Sequence, residues 1–430
     1  MITSAFINLW KQRVGAFAWD SETGIGSFEY DNSFLKKGLD LAPIKMSIEN
    51  KRRKIFSFPE LRDIKTFRGL PGLVADTMPD KYGNALINAW LVNNNRVSDS
   101  LSPVELLCFI GKRGMGALEF EPAMQKSSDI ATKIELGSLI DVAEQILSGK
   151  KNFKTKLLPN EEKALLDILK IGTSAGGARA KAVIVFNSKT KEIRSGQADA
   201  PKGFSHWLIK FDGVTDKQFG TSSGYGRVEM AYYLMAKDAQ IEMTECRLLE
   251  ENGRAHFMTK RFDRDGNKKT HLQSFCAMRH FDFNEINLYS YEQLFETMRT
   301  LNLPYPQAEQ LYRRMVFNVM SRNCDDHTKN FAFVMNKSGK WSLSPAYDVC
   351  HAYRPGSDWV SQHCLSVNGK RKNISAEDLL KVANQMNIKK ANVIIKQIAT
   401  TVGNWGKYAD AAGVNSKLKL AIKKTLHILK

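Results

Sequence analysis

Between Asn323 and Asp348 the chain reads Asn-Cys-Asp-Asp-His-Thr-Lys-Asn, then a short apolar strand-turn-strand, then Ser-Pro-Ala-Tyr-Asp. Asp325 and Asn330 stand five residues apart, and Asp348 supplies a carboxylate on a later turn. A protein kinase catalytic loop has this spacing between its proton-accepting Asp and a metal-binding Asn, with a second metal-binding Asp further on. Asp326 has the wrong offset from Asn330, which assigns the base to Asp325 and leaves Asp326 as a neighbour that positions the loop. Asn330 and Asp348 offer oxygen ligands of the kind Mg²⁺ takes alongside water and nucleotide oxygens. His327 and Lys329 lie between the two loop positions, where they can donate to a phosphate or hold the loop's shape. Phosphoryl transfer asks for little covalent help, since its loose transition state is stabilised by positioning and by cations around the phosphate oxygens. The segment points to an ATP-dependent phosphotransferase.

Upstream segments fit the same chemistry. Ile171-Gly-Thr-Ser-Ala-Gly-Gly-Ala-Arg-Ala-Lys181 joins a helix-like stretch to Ala182-Val-Ile-Val-Phe186, a β-branched run of strand type. Gly176 and Gly177 let the main chain approach phosphates closely, and Lys181 adds a point charge. The loop lacks Gly-Lys-Ser/Thr and so is not a Walker A motif. His206-Trp-Leu-Ile-Lys-Phe211 predicts an apolar strand carrying Lys210, and a helix is predicted to begin near Arg227-Val-Glu229. Lys210 and Glu229 therefore follow the order of the kinase strand Lys and its helix Glu. Ala255-His-Phe-Met-Thr-Lys-Arg-Phe-Asp263 predicts a strand leading into an interlobe hinge whose backbone meets adenine, with Phe262 flanking the base.

Set in order, these segments resemble the HipA family of bacterial toxin kinases, which belong to type II toxin-antitoxin systems and look like a distant branch of the protein kinase and phosphoinositide kinase fold. Phe67-Arg-Gly-Leu-Pro-Gly-Leu-Val-Ala-Asp-Thr-Met-Pro-Asp-Lys-Tyr-Gly83 and Leu101-Ser-Pro-Val-Glu-Leu-Leu-Cys-Phe-Ile-Gly-Lys-Arg-Gly-Met-Gly-Ala-Leu118 carry the likeness in the amino-terminal part. In the core it rests on Gly177-Ala-Arg-Ala-Lys181, Arg261-Phe-Asp-Arg264, Asp325-Asp-His-Thr-Lys-Asn330 and Tyr347-Asp348. The resemblance implies a serine/threonine protein kinase using ATP and Mg²⁺, with Asp325 as catalytic base and Asn330 and Asp348 as magnesium ligands. It implies ATP contacts from Gly176, Gly177, Ala178, Arg179, Ala180, Lys181, Lys210, Lys260, Phe262, His327, Thr328, Lys329, Asn330, Tyr347 and Asp348. In family members a Ser of the Gly-rich loop is itself phosphorylated, which expels the loop and shuts the kinase off; the matching residue is Ser174, with Thr173 the adjacent alternative. A phosphate there would repel the phosphates of ATP. One departure is Lys260, at a hinge position that is commonly acidic in the family, so only backbone contacts to adenine carry over there. The resemblance also implies a HipB-like DNA-binding antitoxin that holds the kinase on operator DNA, and a protein substrate such as an aminoacyl-tRNA synthetase.

The fold class that follows is α+β, two-lobed and kinase-like or phosphoinositide-kinase-like. Residues 1–125 are read as an accessory subdomain of short strands and turns with one or two helices, including Tyr82 to Leu91. Residues 126–264 form the nucleotide-binding lobe, and 265–430 an all-helical catalytic lobe. There Ala308 to Met320 places Leu311, Met315 and Val319 at helical spacing, and Ala421 to Leu429 does the same with Ile422, Leu426 and Leu429. At 430 residues and 43% apolar content the chain can bury two or three cores. No apolar run reaches the ~18 residues of a membrane span. Asn8, Lys11, Gln12 and Arg13 interrupt what would be the apolar core of a signal peptide, so a soluble cytoplasmic protein without membrane association is expected. Six scattered cysteines with no Cys-x-x-Cys pair argue against a disulfide framework or a structural zinc site.

The formal charge of +18 gathers at Lys45 to Lys54, at Lys370-Arg-Lys372 and along the carboxy-terminal helices, and draws polyanions. Charge alone also suits a DNA-bound corepressor without catalysis. The short Asp-x-His-x-x-Asn loop is shared by kinases of this fold that act on a lipid or small metabolite, and the accessory amino-terminal motifs are what favour a protein kinase.

Overall fold

Alternating buried and exposed positions in Ser4–Leu9 and Ile25–Tyr30 mark strands with one apolar face. With Gln12–Asp20, Ile55–Ser57 and Leu118–Glu121 they make an antiparallel five-stranded sheet, in the order Ile55–Ser57, Ile25–Tyr30, Gln12–Asp20, Ser4–Leu9, Leu118–Glu121. The structure is a computed structural model and describes residues 2–50, 54–124, 130–148, 159–173, 179–216, 220–221 and 223–429. The chain divides into two compact units: Met1–Leu39, Ile48–Gly226 and Arg247–Leu272 form one, and Asp40–Ser47, Arg227–Cys246 and Gln273–Lys430 the other.

In the first unit the helix Pro103–Ile110 opens on a capping box. Ser102 caps the Glu105 amide, Glu105 reaches back to the Ser102 amide, and Pro103 occupies the first turn. The helix Lys81–Asn93 begins under the Asp80 side chain, which accepts from the Gly83 amide at 3.0 Å. A second five-stranded sheet runs in the order Cys246–Glu251, Arg254–Lys260, Ser205–Lys210, Lys181–Phe186, Ile193–Ser195. The β-branched run at 182–186 is a central strand buried along its whole length, and with the helices Leu136–Ser148 and Pro159–Gly172 the sheet encloses Leu86, Ile168, Ile184, Trp207 and Met258.

The Arg261–Arg264 motif of this unit is a buried ionic knot. Asp263 accepts two bonds from Arg261, at 2.8 and 2.6 Å, one from Arg264 at 2.7 Å and one from the Gly116 amide at 2.7 Å. Burial alone would push the Asp263 carboxyl up, but the two guanidiniums and the Gly116 amide outweigh it and hold the group well below the usual carboxylate range. Gly116 has φ +76°, a conformation that favours glycine, and thereby aims its N–H at the carboxylate. The Gly-Lys-Arg-Gly-Met-Gly run at 111–116 thus serves the same knot as the motif 150 residues further on, with Arg264 also donating to the Gly114 and Gly116 carbonyls.

The second unit is built on the helix Tyr305–Ser321, which has prolines at its start and Arg322 in the left-handed conformation, φ +57°, at its end. Leu311, Met315 and Val319 are buried as their spacing predicts, and the chain passes from this helix directly into Asn323-Cys324-Asp325. Two details of the sequence reading change. The carboxy-terminal region is not purely helical, because Ala332–Met335 and Trp341–Leu343 pair as antiparallel strands and return the chain from Asn330 to Asp348. The last helix covers Ser416–Lys423 rather than 421–429: Thr425 gives its carbonyl to Arg322 and the His427 amide donates to Met320, and these tertiary bonds draw the chain out of the helix. All six cysteines are free and five of them are buried. Among the described residues no helix is long and apolar enough to cross a membrane.

Candidate active site

In the second unit the loop after Ser321 is fixed from below by its second acidic residue. Asp326 is fully buried and accepts from the Tyr291 hydroxyl at 2.7 Å, from the Cys364 amide at 2.8 Å and from His363 Nδ1 at 2.9 Å. Asn318 and Asn323 extend this network behind Tyr291. Burial pulls the His363 pKa down, but the Asp326 carboxylate, with Cys324 beside the ring, raises it to about 10. The pair is therefore an imidazolium held by a carboxylate, and a buried charge so paired anchors the segment 363–365 to the loop.

Asp325, one residue earlier, has the opposite environment. Its side chain is 37% exposed. Oδ1 accepts the Trp359 indole N–H at 2.6 Å and lies 3.7 Å from His327 Nε2, while Oδ2 accepts no hydrogen bond among the described residues. Partial burial raises the Asp325 pKa; His327 and the Trp359 bond pull it back, and the Asp348 and Asp326 carboxylates push it up. His327 Nδ1 accepts the Lys329 amide at 3.2 Å and caps the short turn Thr328–Asn330, which leaves the proton of a neutral ring on Nε2, facing Asp325. Thr328 ties the turn to the Phe281 carbonyl, and Lys329 Nζ sits 4.9 Å over the Phe283 ring.

Asn330 donates its Nδ2 to the Asp325 carbonyl at 2.6 Å, so that its Oδ1 faces away with no protein donor among the described residues. Tyr347 donates to the Lys329 carbonyl at 2.7 Å and binds the following turn to the loop. Asp348 has φ +54°, a left-handed conformation that few non-glycine residues adopt and that Asp tolerates. A cavity of about 20 Å³, room for about one water, is lined by Asn318, Asn323, Asp326, Asn330 and Asp348, with the buried Arg314 at its wall. Desolvation lowers the Arg314 pKa to about 10, and its Nη2 donates to the Ser344 carbonyl at 2.6 Å. An open amide oxygen and an adjacent carboxylate, both on tethered backbone, are a donor set that fits Mg²⁺.

In the first unit, Lys181 and Lys210 are direct cross-strand partners in neighbouring antiparallel strands, and Phe257 stands opposite Lys210 on the other side. Directly opposed residues project from the same face of the sheet. Lys181 is buried, and Lys210 Nζ is 6.0 Å from the Phe257 ring centroid. Arg179 is exposed and lies over the Tyr225 ring, and Ala180 accepts the Phe211 amide. Lys260 ends its strand exposed to solvent with Phe262 half-buried, and the Arg261 amide between them donates to the His206 carbonyl at 3.0 Å. Glu229 is buried in the helix Tyr225–Asp238, in the second unit, whereas Lys210 belongs to the first. Ser174, Gly176, Gly177 and Ala178 lie outside the described residues. Thr173 is buried and its hydroxyl is spent on the Leu169 carbonyl.

The structure thus brings Asp325, His327, Thr328, Lys329, Asn330, Tyr347 and Asp348 into one constellation. Sequence spacing missed Trp359, His363 and Tyr291, which reach the loop from 34 to 37 residues away. The one available signal was an aromatic residue set in the polar stretch Arg354-Pro-Gly-Ser-Asp358.

The first unit bears the two five-stranded sheets, and the second holds the Asp-x-His-x-x-Asn loop. The HipA N-terminal domain model matches residues 5–121 and the HipA-like C-terminal domain model residues 173–405. The chain belongs to the HipA family. Among solved structures it is similar to HipA of Shewanella oneidensis MR-1, described in a toxin-antitoxin complex with HipB and its operator DNA. The TM-score is 0.66 at 16% sequence identity, covering 98% of this chain and 94% of that one, and the likeness shows the fold. The proinflammatory kinase CtkA of Helicobacter pylori aligns with 58% of this chain and 94% of its own at 14% identity, but its TM-score of 0.32 supports no inference. No curated protein matches the chain.

Proposed function

We propose that this HipA-family chain is a serine/threonine protein kinase that uses ATP and Mg²⁺ and acts as the toxin of a toxin-antitoxin pair. The observation that carries the reading is the asymmetry of Asp325: one carboxylate oxygen is held and the other is open, beside an Asn330 amide whose oxygen is also open. Asp325 Oδ2 accepts the proton of a Ser or Thr hydroxyl as that oxygen bonds to the γ-phosphorus, and the bond from phosphorus to the bridging oxygen breaks with its electron pair leaving on ADP. Asn330 Oδ1 and the Asp348 carboxylate would hold Mg²⁺, which when bound would supply charge neutralisation at the phosphates. Lys181 and Lys210, cross-strand neighbours in adjacent strands, share the phosphate contacts. Arg179, Ala180, the Lys260 and Phe262 hinge, His327, Thr328, Lys329 and Tyr347 complete the nucleotide contacts.

The substrate class is a protein carrying an accessible Ser or Thr, a translation component such as an aminoacyl-tRNA synthetase among them. Ser174 is the site of self-phosphorylation. The partner is a HipB-like antitoxin, and the charge of +18 favours DNA contact within that complex. Intact and peptide mass spectrometry after incubation with Mg·ATP tests the reading. Phosphate on Ser174 of the wild-type chain, and none on Asp325→Asn, is the expected result. Equal phosphate on both would remove Asp325 from the role of base.

A further inference from the structure

We infer that Trp359 is the positioning residue of the catalytic base: its indole N–H holds Asp325 Oδ1, so that Oδ2 is turned toward the acceptor hydroxyl. The catalytic half of the inference rests on the kinase reading above, while the contact itself rests on geometry alone.

The bond is short, 2.6 Å, and runs from a donor-only group to a carboxylate. An indole N–H cannot take up a proton, so it restrains the carboxylate's rotation without competing for the proton that Oδ2 is to accept. A carboxylate left free would spread its lone pairs over a wide arc, and a base misaligned by tens of degrees loses rate. The ring is itself held. Its centroid lies 5.9 Å from that of His327 and 6.4 Å from that of Phe283, and those two rings are 5.3 Å apart. Ser357 Oγ accepts from the amides of Trp359 and Val360.

Asp326 supplies the reason the indole arrives where it does. It binds the Cys364 amide and His363, five and four residues beyond Trp359, and thereby carries that segment against the loop. The two adjacent acids divide the labour, one anchoring the segment and the other receiving its tryptophan. The indole is not a lid over the base, because the Asp325 side chain keeps 37% of its surface exposed with Trp359 in place.

Trp359→Phe retains an aromatic ring for His327 and Phe283 and removes the N–H. With the full chain and Mg·ATP, followed by phosphate incorporated into the chain, the first-order rate constant of incorporation at saturating ATP should fall about tenfold while the ATP concentration for half that rate stays within about twofold. An unchanged rate constant overturns the inference, and so does a raised one, which would make the indole a cover. A second arm needs no turnover. The chain labelled with ¹⁵N at its seven indoles gives one signal per Trp, and the signal lost in Trp359→Phe should move in Asp325→Asn. A signal indifferent to Asp325→Asn overturns the contact. Failure of the wild-type chain to transfer phosphate while that signal moves would sink the kinase reading and the catalytic half with it, leaving the contact established.

Discussion

Asp263 and Asp325 each sit in a motif that carries the family resemblance, one in each unit, and their surroundings are opposite. Asp263 is saturated: every near neighbour is a donor, both oxygens are used, and its guanidinium partners are only 2% and 7% exposed. Asp325 is under-coordinated, with one oxygen bound and one open. A saturated carboxylate has no capacity left for a proton or a metal, and its pKa is driven down. An under-coordinated one in a partly buried setting is raised above the ordinary range, as the base role proposed for Asp325 requires. The contrast teaches that motif residues separate into structural and chemical roles by how many of their lone pairs the fold has already spent.

The sharpest way to break this contrast is to replace each acid. Asp325→Asn keeps shape and removes basicity, so turnover of Mg·ATP should fall on the order of 10³-fold with the thermal midpoint unchanged within a degree or so. A variant that lost its fold along with its activity would make Asp325 structural after all. Asp263→Ala should do the reverse. It leaves Arg261 and Arg264 buried without their carboxylate and should cost about 3–5 kcal/mol in urea unfolding. Were Asp263→Ala as stable as wild type, the knot would be ornamental.

Much of this was legible because it is local. The Asp325 to Asn330 spacing fixes a loop whose internal bonds, from Asn330 to the Asp325 carbonyl and from the Lys329 amide to His327, close within five residues. The buried stripe of Leu311, Met315 and Val319 is local in the same sense. What sequence could not give are partners set by tertiary folding. Trp359 and His363 obey no spacing rule relative to the loop, and the Asp263 to Gly116 bond spans 147 residues. The end of the last helix was misplaced for the same reason, since bonds to Arg322 and Met320 override the amphipathic pattern at Leu426 and Leu429.

The third acid of the comparison, Asp326, makes its contrast through pH. His363 has an ordinary value of 6.5 and is raised to about 10 in the folded chain, so the native state binds this proton more tightly. Its stabilisation is fully present below about pH 6.5 and is lost as the pH rises through about 10. The wild-type thermal midpoint should therefore decline across that window, by several degrees. His363→Gln can still bond Asp326 but carries no proton to lose, and its midpoint should be lower at pH 6.5 and flatter above it. Parallel curves for the two proteins would show that the pair is not ionised.

Tyr347→Phe should have the smallest effect and is the finest probe of the open constellation. The hydroxyl donates to the Lys329 carbonyl at 2.7 Å, a bond to the loop backbone next to Asn330, while the following residue is the left-handed Asp348. Losing one neutral hydrogen bond is worth about 0.5–1.5 kcal/mol. If Tyr347 serves to keep Asn330 and Asp348 in register, that energy should appear as a KM for Mg·ATP raised about two- to tenfold, with kcat nearly constant and a stronger dependence on free Mg²⁺. If the deficit appeared in stability alone, as it would for a bond of the Asp263 kind, the tether between the loop and the Asp348 turn would be structural.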